Sequence, residues 1–78
     1  MSVAMLPFQS VMPCTETLRR ALAAIDNDDH AADLLFLEQW EMHPLPGAAM
    51  ALRVSQIRRA NPDLAAAIRA EVGTLTRA

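Results

Sequence analysis

The chain has 78 residues and a net charge of −2, enough for one small domain but not for a catalytic domain beside a regulatory one. Alanine, leucine and methionine are plentiful, tyrosine is absent, and only Phe8, Phe36 and Trp40 are aromatic, which favours helix over strand. A single cysteine, Cys14, excludes a disulfide framework, and no Cys/His spacing resembles a structural zinc site.

Residues 1–13 are apolar without a sustained period. Pro7 and Pro13 interrupt them and no basic stretch precedes them, so they make a poor signal peptide. No apolar run approaches the ~20 residues a spanning helix needs. They read as a flexible or partner-docked arm leading into one helical domain over 14–78, in a reducing, cytoplasmic setting away from membranes. Thr15 can cap a first helix over about 15–26, in which Leu18, Leu22 and Ile25 recur at spacings of four and three.

Asp26-Asn27-Asp28-Asp29 is a turn by chemistry, because these side chains compete with the helix for backbone hydrogen bonds. Asp28 or Asp29 is expected to cap a second helix over about 29–42. That helix holds Leu34-Leu35-Phe36-Leu37 and continues through Trp40 and Met42, so it is apolar on more than one side. Such a helix sits centrally in a bundle or leaves part of its surface open for docking.

Pro44 and Pro46 stop it, since each lacks a backbone donor and pushes the residue before it out of the α region. His43-Pro44-Leu45-Pro46-Gly47 is therefore a rigid elbow. A third helix over about 47–60 places Met50, Val54 and Ile57 on a core face. At Asn61-Pro62-Asp63, asparagine suits a cap, proline suits the first helical position, and the acid suits the positive helix end. A fourth helix over about 62–73 carries Leu64, Ile68, Val72 and Leu75, with Gly73 as its expected stop. The fold class is all-α, a compact bundle of four short helices.

All seven basic residues are arginine and they are unevenly placed: residues 1–45 carry −5 and residues 46–78 carry +3. Catalysis finds little support. Cys14 has only His30 and His43 as conceivable partners, and neither lies in a nucleophile signature. The acids Asp26, Asp28, Asp29 and Asp33 lack the glycine and terminal glutamate of a calcium loop. Gly47 and Gly73, the only glycines, form no phosphate loop. The expectation is a chain without cofactor, metal or catalytic residue.

Two surfaces remain. The first is apolar: Leu35, Phe36, Trp40, Met42, Leu45 and Met50, where tryptophan with methionine is the composition of adaptable binding hot spots. Its expected partner is another protein, and a homodimer is an alternative use of the same face, with the oppositely charged halves antiparallel. The second is the arginine face of the third helix, where Arg53, Gln56, Arg58 and Arg59 give a helix-turn-helix-like alternative that touches DNA. Against it stand the long proline elbow and the negative net charge.

In general type, a short, acidic, lysine-free helical chain with an apolar N-terminal stretch resembles the small adaptors of bacteria: secretion chaperones, antiactivators that mask a transcription factor, and phage-encoded inhibitors. The resemblance implies a non-catalytic regulator that works by masking a surface of a transcription factor or a secretion component.

Overall fold

In the computed structural model, which describes residues 12–77, Thr15 opens the first helix from an extended backbone, and its hydroxyl oxygen accepts the Leu18 N–H at 3.2 Å. The helices are α1 (Glu16–Ala24), α2 (Asp28–Met42), α3 (Ala48–Ala60) and α4 (Pro62–Thr76). The described residues form an all-α bundle of four short helices with no strand. The arm expected over residues 1–13 lies outside the described residues except for Met12 and Pro13.

Local chemistry corrects several expected boundaries. α1 ends at Ala24, because Ile25 is extended (φ −95°, ψ 128°). The α2 cap is Asn27, not Asp28 or Asp29: its side-chain oxygen accepts the His30 N–H at 3.0 Å. The two aspartates fall instead in the first turn, where their charge suits the helix dipole. Gly47 precedes α3 with φ at +125°, a region that L side chains rarely enter. Asn61 separates α3 from α4, but its side chain does not cap the second. Its amide nitrogen donates back to the Ile57 carbonyl at 3.0 Å, and Pro62 occupies the first turn as expected. Gly73 does not stop α4, which runs to Thr76; Thr76 Oγ1 donates to the Val72 carbonyl at 2.9 Å.

The core joins Leu18 of α1, Leu34, Leu35 and Leu37 of α2, Val54 and Ile57 of α3, and Ala65, Ile68 and Val72 of α4. Each fully buried leucine or isoleucine contributes about 1.5–3 kcal/mol by leaving water. α2 and α4 each pack against all three other helices, whereas α1 and α3 do not meet. The many-sided apolar pattern of α2 follows from this central place. Leu75, expected to extend the α4 core stripe, is 50% exposed, so the stripe ends at Val72. No helix among the described residues is long and apolar enough to cross a membrane.

Candidate protein-binding face

α2 places its residues in two arcs. Ala31, Leu34, Leu35, Leu37 and Glu38 face inward and are buried. Leu35 therefore belongs to the core rather than to an exposed docking strip; four positions after Ala31, it shares that residue's side of the helix. Phe36 and Trp40, also four apart, lie on another side, half-buried and leaning on the core edge. Met42 is also packed against the core and Met50 is half-buried on α3, and neither lines the cleft formed by Phe36, Trp40 and Leu45. Leu45, in the elbow, is 54% exposed, because the prolines on either side hold it away from both helices.

Phe36, Gln39, Trp40, His43 and Leu45 line a cleft of about 240 Å³ between the outer side of α2 and the elbow. The Trp40 indole nitrogen is buried, and among the described residues no acceptor faces it. Met12, Leu52 and Leu75 are also exposed, at separate places on the chain.

The arginines of α3 divide between the aromatic rings of α2 and solvent. The Arg53 guanidinium lies 4.0 Å from the Phe36 ring centroid and reaches Asp33 at 3.3 Å. Arg58 stands 5.4 Å from the Trp40 ring centroid and is paired with Glu41, whose side chain is only 9% exposed. Both guanidiniums thus sit on aromatic faces and are neutralised by carboxylates of α2, an arrangement that rigidifies the rings beneath them. Gln56 and Arg59 are exposed; Gln56 lines a polar cleft together with Arg53, and Arg59 donates to Ser55 of its own helix at 3.3 Å. The expected row is thus divided: Arg53 and Gln56 share the polar cleft, Arg58 lies over Trp40, and Arg59 stays on its own helix.

A second, larger cleft of about 690 Å³ separates the start of α2 from the end of α3 and is lined by polar groups including Asp29, His30, Asp33, Gln56 and Asn61. Across it, His30 Nε2 and Asn61 Oδ1 are 2.9 Å apart, tying the two helix ends together. His43 and Cys14 are elsewhere, on the elbow and before α1. Among the described residues no three His, Cys, Asp or Glu side chains are gathered to hold a metal ion.

Sequence reasoning missed the polar contacts that fix α1. Glu38 is fully buried. Its carboxylate accepts the Cys14 N–H at 2.9 Å, the Thr15 N–H at 2.8 Å and the Thr15 hydroxyl at 2.6 Å. From α4, Glu71 accepts the Glu16 N–H at 2.7 Å and the Thr17 hydroxyl at 2.8 Å. The Thr17 hydroxyl is the main reason the Glu71 carboxyl is held below its ordinary range; the two backbone donors and Arg20 act in the same direction, against partial desolvation. The available signal was a charged residue at position 38, four after Leu34, on an otherwise apolar arc.

No family model, curated protein or solved structure matches the chain.

Proposed function

We propose that this chain is a non-catalytic protein-binding regulator that occupies a surface of a partner protein through the Phe36, Trp40 and Leu45 face. The observation that carries the reading is the cleft itself: two half-buried aromatic rings and a half-exposed leucine converge where α2 meets a proline-stiffened elbow. Aromatic anchors with few rotamers, held on rigid elements, lose little entropy on binding, which is the usual chemistry of a hot spot. Arg53 and Arg58 border the rings. The occupant that suits this cleft is an amphipathic helix whose apolar stripe enters between the rings and Leu45. Binding of this kind is regulation by occupancy, in the manner of an antiactivator, an inhibitor or a chaperone, and it suits a cytoplasmic protein.

The test is capture of the tagged chain from native lysate after nuclease treatment, with wild type beside Leu45→Asp and Arg59→Ala. The expected result is a specific protein, lost with Leu45→Asp and kept with Arg59→Ala. Adding that purified protein moves the emission of Trp40, the single tryptophan, to shorter wavelength. Retention of nucleic acid in an untreated parallel, steeply salt-dependent and lost with Arg59→Ala, overturns the reading in favour of DNA binding.

A further inference from the structure

The chain enters the bundle close to the Trp40 cleft. Glu38 accepts the Cys14 N–H at 2.9 Å and the Thr15 N–H at 2.8 Å, and Arg19 donates to the Pro13 carbonyl at 3.3 Å, so the entry point is fixed. Met12, just before it, is 74% exposed, so the backbone meets the bundle at its surface. Glu38 stands two residues before Trp40 on α2, about 3 Å along the helix axis and roughly half a turn around it. Eleven residues precede Met12. They include Met1, Val3, Met5, Leu6, Phe8 and Val11 and no charged side chain; all seven basic and nine acidic residues of the chain follow Thr15. The cleft lined by Phe36, Gln39, Trp40, His43 and Leu45 likewise has neither carboxylate nor guanidinium in its lining. At about 240 Å³ it lies below the ~300–1,000 Å³ of a small-molecule site and suits one or two large side chains.

From this we infer that the N-terminal arm docks in cis: Leu6 and Phe8 fill the cleft of their own chain and mask it until a partner displaces them. The reach fits. The path around α2 from Glu38 to Trp40 is half the circumference of a helix about 10–12 Å across, roughly 15–20 Å. Phe8 lies six residues before Cys14, and at about 3.3–3.6 Å per extended residue that length brings it to the cleft. The residue types fit as well. Pro7 fixes its own φ and pushes Leu6 into the extended region, so Leu6-Pro7-Phe8 favours a strand-like form. In that form Leu6 and Phe8, two apart, present the same side to the cleft, and Pro7 brings no backbone donor to bury. Being tethered, the arm acts at an effective concentration of about millimolar, so a weak fit is enough to hold it. The arm of another chain offers the same side chains without that advantage. As masking, the proposal rests on the reading of this cleft as a partner's site; the docking itself does not.

The docking is tested on the full chain with no partner added. In wild type, NOEs are expected between the Phe8 ring or the Leu6 methyls and the Trp40 indole, unchanged by dilution. Phe8→Asp is expected to abolish them and to shift the emission of Trp40, the single tryptophan, to longer wavelength, while Ser2→Asp leaves both as they are. Circular dichroism checks that both variants keep their helices. Absence of any NOE from the arm to Trp40 overturns the proposal. So do NOEs that vanish on dilution or that join labelled to unlabelled copies, which assign the cleft to the arm of a second chain. Masking is read separately, with the protein captured through Leu45. Phe8→Asp is expected to tighten its binding about tenfold, the factor for a cleft about nine-tenths occupied by the arm. An unchanged affinity overturns masking and leaves the docking to its NOEs. If no protein is captured, the protein-binding reading and masking fail together, and the docking again stands or falls on the NOEs alone.

Discussion

The two sides of α2 serve opposite kinds of surface. Around Glu38 its inward side meets the start of α1 in a buried polar contact in which the carboxylate takes two backbone donors and a hydroxyl. Four residues on from Phe36 and two from Glu38, Trp40 belongs to the other side, where rings lie half-open and an indole N–H has no acceptor among the described residues. A polar group in a small core is tolerable only when its partners are complete, whereas an apolar surface stays available for binding only when its cover is incomplete. The difference separates residues that fix the fold from residues free to serve a partner, within about one helical turn.

Glu38→Ala is the severest challenge to this division. It strands the Cys14 and Thr15 N–H groups against a hole in the core, and a loss of about 3 kcal/mol or more is expected. Since a core of this size yields only roughly 3–5 kcal/mol in total, urea titration followed by circular dichroism should find the variant largely unfolded. Thr15→Ala removes the cap and one hydroxyl donated to Glu38, for an expected loss of about 1–2 kcal/mol in the same assay. Glu71 probes the same side of the division through pH. Its carboxyl is depressed in the folded state, so its contribution is fully present above the ordinary value of 4.5 and is lost as pH falls through the lower folded value. Glu71→Gln should therefore flatten the acid limb of the stability curve between 4.5 and that lower value, and leave the curve above neutrality parallel to wild type.

On the open side the expected effects are smaller. Arg58→Ala should cost about 0.5–1 kcal/mol, the scale of a partly exposed ion pair with a ring contact, and should red-shift Trp40 emission as the ring loses its cover. Leu45→Asp should change unfolding by no more than about 0.5 kcal/mol while abolishing partner capture. A large loss of stability there would place Leu45 among residues the fold needs.

Much of the architecture is legible in the sequence because its causes are local. Leu18 and Leu22 mark one face at helical spacing, Thr15 is a hydroxyl cap, the elbow prolines forbid continuation, and Pro62 starts a helix by its own ring. The features that escape are non-local or a near tie. Glu38 and Glu71 cap α1 from 23 and 55 residues away, and nothing near Thr15 announces them. Asn27 and Asp28 are nearly equal caps by chemistry, and the observed helix start decides between them. In the candidate face, Phe36, Trp40 and Leu45 are half-open or exposed, but Leu35 is core, since a run of four apolar residues does not say which neighbour turns inward. The arginine row on α3 rests on spacing alone, which carries no trace of the α2 carboxylates and rings that draw Arg53 and Arg58 aside.

Asn61 alone stands between α3 and α4, with its backbone carbonyl accepting from Ala65, its side-chain amide nitrogen bonded to Ile57 and its side-chain oxygen against His30. That junction has no slack. A residue inserted there would have to lengthen one helix, turning α4 by about 100° and carrying Ile68 and Val72 off the core. The exposed elbow at 43–47 has no such constraint on its far side from α2, so tolerance of length change should be sharply unequal at the two joints. A tag or reporter belongs in the elbow only if the Leu45 face is to be sacrificed, and never at Asn61.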